Sequence, residues 1–271
     1  MPEPVVEVRD LVRTYRVRRR RPGLAGAIRD LFDGPGQPVR ALDGVGFTLN
    51  EGEVLGWIGP NGAGKSTTVK CLTGILAPDS GTVRVCGLDP WRQRTRHVHH
   101  IGAVFGQRTQ LWWDLAVREA YDLLAAVFRV PEATYRQRLD ELVDLLGLEP
   151  LLAMPVRELS LGQRVRCDFA AALLHGPRVV LLDEPTIGLD VAVKQRIRGF
   201  VRKMAADGVG VLLTTHDLAD VERLCDRVAL LHAGKVVFEG TPEGLHAELG
   251  GRRTVEVQAR QGVADEVLTG L

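Results

Sequence analysis

The octapeptide GPNGAGKS, Gly59 to Ser66, sets three glycines ahead of a lysine and a hydroxyl. It fits the pattern G-x-x-x-x-G-K-[ST], follows the apolar run EVLGWI and opens a helical run. Gly59, Gly62 and Gly64 let the backbone wrap a polyphosphate and offer it N–H donors, with Pro60, Asn61 and Ala63 completing the loop. The helix behind adds roughly half a positive charge at its N-terminus. Lys65 is placed to reach β and γ phosphates, the Ser66 hydroxyl suits Mg²⁺, and Thr67 suits the α-phosphate side. A glycine-rich turn without a ligand is the plainer alternative, and the order strand, loop, helix argues against it. The motif alone fits GTPases, kinases and ATPases. No NKxD guanine reader occurs in the sequence, which tilts the choice towards ATP.

A second chemical centre lies in VVLLDEP. Asp183 and Glu184 stand at the C-terminal end of an apolar strand, where ligands gather in open α/β sheets. Asp183 suits Mg²⁺, directly or through water; Glu184 suits polarising the water that attacks a γ-phosphate. A solvated acidic strand end is the bland reading, and it weakens beside a phosphate loop. His216 closes another apolar run, VLLTTH, and is expected at the γ-phosphate. Gln107 follows the strand-like IGAVF and is expected to enter the same crevice, near the metal.

The elements that must carry these groups alternate between strand and helix signals, which predicts an α/β fold with a mainly parallel sheet. From Val117 to Gly147 the period becomes helical: Val117, Ala120, Tyr121, Leu124, Val127 and Phe128, then Leu139, Leu142, Val143 and Leu146, with Pro131 between. The block from about 108 to 165 therefore reads as an inserted helical subdomain. VALLHAGKVVFEG predicts a hairpin turning at Ala233-Gly234. Residues 1–250 form one ATP-binding unit on this reading, with an extra basic, amphipathic insertion over about 16–40. Residues 251–271 read as a truncated accessory segment.

With 271 residues, 45% of them hydrophobic, 25% charged and a net charge of +1, the composition is globular, and no nucleic-acid partner is expected. Cys71, Cys86, Cys167 and Cys225 show no CxxC pairing, so a reducing compartment is expected. The start MPEPVVEVRD lacks a basic stretch with an apolar run, and no stretch approaches the roughly 20 apolar residues of a membrane span.

ELSLGQRVR, Glu158 to Arg166, poses a separate problem: a second glycine turn at the head of another helix. Ser160 can cap that helix and Gly162 leaves its backbone open to an anion. The phosphate loop, Gln107, LSLGQ, VVLLDEP, GLD and TTH, in this order and spacing over roughly residues 5 to 245, resemble the ATP-binding subunit of an ABC transporter. That resemblance implies a P-loop NTPase core of RecA-like type, with an N-terminal antiparallel β subdomain and the helical insertion. It further implies two such subunits meeting head to tail around two ATP and Mg²⁺. Ser160, Gly162 and Gln163 would then contact the γ-phosphate held by Lys65 of the other subunit. Asp190 in IGLD matches the loop that links the two sites, and Tyr15 in VRTYRV matches the aromatic that stacks on adenine. Separate transmembrane permease subunits and a place at the cytoplasmic face of the bacterial plasma membrane follow, and intact half-sites permit a homodimer.

One position departs from the family pattern: the common form is LSGGQ, and Leu161 replaces its first glycine. Trp112 and Trp113, in VFGQRTQLWWDLAVREAY, lie where the helical subdomain would dock a membrane partner, and the stretch resembles a bacterial subgroup exporting drugs, antibiotics or other lipophilic compounds. In the insertion, four arginines precede Leu24, Ala27, Ile28, Leu31 and Phe32 on one helical face; polysaccharide exporters resemble it here. HVHH, residues 97 to 100, reads as a charged loop. The competing class is a soluble ABC ATPase acting on ribosomes or DNA. Such chains usually carry a second unit, long coiled coils or zinc motifs, none of which the sequence contains. A regulator with a dead site would need a missing catalytic residue, and every one is in place.

Overall fold

The apolar runs VLGWI, VVLLD and GVLLTT are too continuous for strands with a wet face, and each lies buried on both sides. A computed structural model describes residues 4–17, 36–106 and 109–248. The described chain runs β1 (Pro4–Val17), β2 (Gln37–Asn50), β3 (Val54–Ile58), α1 (Lys65–Leu72), β4 (Ser80–Val85), α2 (Arg94–His97) and β5 (Ile101–Phe105). It continues through α3 (Val117–Val127), α4 (Glu132–Leu146), α5 (Leu161–Leu173), β6 (Val179–Asp183), α6 (Val191–Ala206) and β7 (Gly210–Thr215). It closes with α7 (Leu218–Leu224), β8 (Arg227–His232), β9 (Lys235–Gly240) and α8 (Pro242–Glu248). Gln107, most of the 16–40 insertion with its arginines and apolar face, and the 251–271 segment lie outside the described residues.

The fold is α/β. Six strands in the order β5-β6-β7-β3-β8-β9 form the central sheet, parallel except for the last pair, and β2-β1-β4 form a separate antiparallel sheet. Side chains alternate across the central sheet. Leu55, Trp57, Val179, Leu181 and Leu212 face the antiparallel sheet with α1 between them, while Val180, Leu182, Val211 and Leu213 face the helices. Trp57 is fully buried and meets Phe47 of β2 with ring centroids 4.3 Å apart, which joins the two sheets. β1 and β2 are longer than the short strands the sequence implied. Register shifts, including one spanning Asp10 at φ 50°, let fourteen residues follow a curved partner.

Pro131 separates α3 from α4 as expected, and Gly147 ends α4 with φ 63°. Arg166 of α5 donates to the carbonyls of Leu146 and Gly147 at 2.7 and 3.0 Å, satisfying the end of α4. The Tyr121 hydroxyl donates to Cys167 O at 3.0 Å, tying α3 to α5. Two sequence expectations fail here. Val127 is 61% exposed, because the last core position of the stripe goes to Phe128, whose ring stacks on His175 at 4.1 Å. HVHH is a tight helical turn rather than a charged loop, and burial of His97 lowers its pKa. The hairpin at Ala233-Gly234 forms as read, with φ of 47° and 80°. No helix among the described residues is long and apolar enough to cross a membrane. Among them, no group of three or more His, Cys, Asp or Glu side chains is placed to hold a metal ion.

His175 closes the joint between α5 and the central sheet, with Nε2 2.9 Å from Ile101 O; burial pushes its pKa down to about 4. Between pH 6.5 and 4 the unfolded chain takes up a proton that the folded one refuses, so acid favours unfolding by up to about 3 kcal/mol. His175→Gln, which keeps an amide donor for Ile101 O, is expected to show a smaller fall in Tm than wild type between pH 7 and 4.5, measured by thermal melts. Parallel Tm–pH curves would remove His175 from this role.

Candidate functional site: a phosphate cradle beside an acidic strand end

The loop from Gly59 to Gly64 leaves the end of β3 and turns directly into α1. Gly64 is the N-cap, at φ 115°, and a Cβ there would sit 2.5 Å from Ala41 O, so only glycine fits. Its carbonyl accepts from Thr68 N at 2.9 Å and from the Thr68 hydroxyl at 3.1 Å, so the first turn of α1 is held tightly. The β8–β9 turn supports the loop from below, with Gly234 N donating to Ala63 O at 3.0 Å.

Lys65 is 5% exposed. Its Nζ donates to Gly59 O at 2.7 Å and to Pro60 O at 3.2 Å, and Glu184 Oε1 lies 3.8 Å away. The ammonium is thus held at the mouth of the loop by neutral carbonyls, partners that a polyphosphate outcompetes electrostatically. Asp183 is paired in register with Thr214 of β7 and Phe105 of β5. Asp183 Oδ1 accepts from Ser66 Oγ at 3.2 Å and from Thr214 Oγ1 at 2.6 Å. A hydroxyl and a carboxylate this close are the hard oxygen donors that Mg²⁺ prefers.

Glu184 has φ 53°, a left-handed conformation unusual for a residue with a side chain. Its N–H is shared between Thr214 O and Thr214 Oγ1, both at 3.1 Å. His216 Nδ1 lies 3.5 Å from Glu184 Oε1 with its ring largely exposed. Gly106, at the end of β5, passes so close to the Glu184 carbonyl that a side chain would collide with it. The loop, the start of α1, the end of β5 and the acidic pair line a cavity of about 590 Å³, within the range of small-molecule sites; His216 stands beside Glu184 but does not line it.

Asn61, Gly62, Gly64, Lys65, Ser66, Thr67, Asp183 and Glu184 line the cavity, while Gly59, Pro60 and Ala63 shape the loop behind it. Ala41, Lys70, Ile75, Phe105 and Gly106 also line it, and the sequence analysis did not name them. Thr214 was missed too; its signal was a hydroxyl residue two positions before His216, in register with an acid. Tyr15 does not line the cavity. It pairs with Val39, two residues before Ala41, and carries the Arg13 guanidinium 5.5 Å above its ring.

Ser160, Gly162, Gln163 and Asp190 lie outside this cavity. Ser160 caps α5 as expected, and Gln163 completes a reciprocal capping box: Gln163 N donates to Ser160 Oγ at 3.3 Å and Ser160 N to Gln163 Oε1 at 2.8 Å. Asp190 caps α6 through Val193 N at 2.9 Å. The two capped turns touch. A Cβ on Gly162 would sit 3.3 Å from Val193 Cγ2, and a Cβ on Gly188 3.2 Å from Leu161 Cδ2. The leucine that departs from the family pattern is exposed, and its Cδ2 lies over Gly188, which has no side chain to meet it.

The segment after Gln107 is anchored to α5 by a residue that sequence reasoning also missed. Asp168 Oδ1 accepts from Thr109 Oγ1 at 2.8 Å and Gln110 N at 3.1 Å, and burial pushes its carboxyl up to about 6. A buried acid in the middle of an apolar helix gives no periodic signal.

Comparison with known proteins bears directly on this geometry. Residues 42–187 match the family described as ABC transporter. The chain belongs to the ABC transporter family. This ABC ATPase is 38% identical over 82% of its length to a daunorubicin resistance ATP-binding protein of Streptomyces coeruleorubidus, covering 70% of that protein. It is 38% identical over 82% of its length to a Nod factor export ATP-binding protein I of Paraburkholderia xenovorans, covering 73% of it. Its match to an uncharacterized ABC transporter ATP-binding protein of Bacillus subtilis, at 37% identity over 72% of the chain, spans 63% of that relative's length. Among solved structures, an ATP-binding subunit of an ABC transporter superposes with a TM-score of 0.77 at 28% identity, over 91% of this chain and 93% of that one. A dimeric ATP-binding cassette in a post-hydrolysis state, bound to ADP and Pi, gives 0.70 at 26% identity over 88% and 98%. The family couples ATP hydrolysis to transport, and this chain carries its ATP-binding domain.

For this ABC ATPase, Lys65→Ala is expected to weaken ATP binding more than tenfold in a fluorescent-nucleotide titration while the melting temperature stays near wild type. Wild-type affinity in that variant would remove Lys65 from the phosphate site.

Proposed function

We propose that this chain is the ATP-hydrolysing motor of an exporter, completing its reaction centres only as a head-to-tail pair. One observation carries the reading: the Ser160–Gln163 turn is fully formed and capped, yet it lies outside the cavity of its own chain. A helix N-terminus is a ready anion site, so its natural ligand is the γ-phosphate on the Lys65 of a second ATP-binding subunit. The solved post-hydrolysis dimer among its structural relatives supports the pairing.

On this reading Lys65 exchanges the carbonyls of Gly59 and Pro60 for β and γ phosphates. Ser66 and Asp183 would hold Mg²⁺, which would supply charge neutralisation on the phosphates. Glu184 accepts a hydrogen bond from the attacking water and polarises it, and His216, 3.5 Å from Glu184, faces the γ-phosphate side. By the family resemblance Gln107 would serve the metal, Tyr15 would stack on the adenine, and Asp190 would link the two sites. The products are ADP and phosphate. Trp112 and Trp113, 43% and 52% exposed, belong to the face that meets separate membrane permease subunits at the cytoplasmic side of the plasma membrane. A relative named for daunorubicin resistance supports a drug or other lipophilic compound as cargo, and one named for Nod factor export supports export as the direction.

Glu184→Gln is expected to bind ATP, turn over at least a hundredfold more slowly and elute as a dimer with ATP in size-exclusion chromatography. Ser160→Arg is expected to spare ATP affinity and abolish hydrolysis. ATPase activity per chain should rise with protein concentration. Full specific activity in dilute, strictly monomeric protein would sink the pairing.

A further inference from the structure

Glu184 is held in a left-handed conformation that a side chain resists, so its surroundings must over-determine it. On its N-terminal side, Thr214 does this through the shared N–H. On its C-terminal side the chain passes Pro185 to Thr186, which is 4% exposed, and the Thr186 hydroxyl donates to Asp220 Oδ2 at 2.7 Å. Asp220 is a wholly buried carboxylate in α7. Its Oδ1 accepts from Arg198 Nε of α6 at 2.6 Å, and Arg198 Nη2 also pairs with it.

The two helices joined by Asp220 are the ones that begin at the other functional loops. α6 starts at its Asp190 cap, and α7 starts at its Asp217 cap, directly after His216. A second ion pair, Lys194 Nζ to Asp217 Oδ2 at 3.4 Å, lies one helical turn nearer those loops. Lys194 and Arg198 are four residues apart on α6, and Asp217 and Asp220 three apart at the start of α7, so each helix offers one face to the other.

We propose that the buried Thr186–Asp220–Arg198 cluster is the positioning element of the hydrolytic step, locking the Glu184 turn to α6 and α7 so that the Asp190 loop, Glu184 and His216 move as one body. The cluster rests on the reading of Glu184 as the group that handles the attacking water. Asp220 does not line the cavity; it acts through Thr186 and Arg198. A buried carboxylate that loses one partner is strongly disfavoured, which leaves the cluster few other arrangements. A displacement of the Asp190 loop by a second subunit therefore reaches Glu184 through side chains rather than through the phosphate loop.

The test uses the full chain with Thr186→Val, Thr186→Ser, Arg198→Lys and Glu184→Gln, measuring kcat and KM for ATP, nucleotide affinity and Tm. Thr186→Val is expected to lower kcat roughly tenfold, with KM and affinity within about twofold of wild type, as small misplacements at a reacting centre do. Thr186→Ser restores kcat, because it restores the hydroxyl. Arg198→Lys keeps the charge but loses the planar fork, so it is expected to show the same loss confined to kcat, and it carries the test should Thr186→Val not fold. Wild-type kcat in both Thr186→Val and Arg198→Lys, a loss expressed in KM, or a serine variant as impaired as valine would overturn the proposal. If Glu184→Gln itself turns over normally, the site reading fails; if Glu184→Gln is inactive and neither Thr186→Val nor Arg198→Lys is impaired, only the cluster fails.

Discussion

Ser66 and Asp183 are 117 residues apart in sequence, and their oxygens meet at 3.2 Å. On the proposed reading a metal-bound phosphate would need both on one side of one cavity, and the rest of the architecture is consistent with holding them there. Parallel strands do it economically. β3 and β6 flank β7, so the loop after β3, the acid at the end of β6 and the hydroxyl of Thr214 at the end of β7 emerge along a single sheet edge. Thr214 makes the junction rigid, bonding Asp183 and the Glu184 N–H with one hydroxyl. Because these strands are buried on both faces, a slip in register would move every apolar side chain as well as the acid. The core and the chemistry are stabilised by the same pairing.

Much of this could be read from the chain alone, where a local rule applied. The phosphate loop is legible because glycine spacing, lysine and hydroxyl serve one short segment. The Ala233-Gly234 turn is legible because a two-residue hairpin demands positive φ at both positions. The end of α4 is legible from Gly147. What escaped were groups whose role depends on distant neighbours. Thr214 looks like any strand threonine until β6 is laid beside it. Asp168 sits in an apolar helix and acquires meaning only from Thr109 and Gln110 across the joint. His97 looked solvated because three of its neighbours in sequence are polar, yet the fold closes over it. Val127 followed the helical stripe but lost the final core position to Phe128.

Gln163 illustrates a middle case. The sequence marks it as part of a phosphate-facing turn, and the structure shows its side chain closing the capping box with Ser160. The cap orders the first turn of α5 and leaves its leading edge open to a charged ligand. An exposed N-terminus that is already ordered loses little conformational freedom when an anion arrives.

The contact between Leu161 and Gly188 has a consequence for how such chains diverge. The leucine side chain occupies the room that a bulkier residue at 188 would claim, and the backbone at 188, with φ 73°, favours glycine independently. A Cβ at 188 would press to 3.2 Å from the tip of Leu161, an exposed side chain that can turn aside, so the left-handed backbone is the stronger constraint at that position. Position 161 is thereby left free to carry either a leucine or a smaller residue, while 188 is held to glycine by its own backbone.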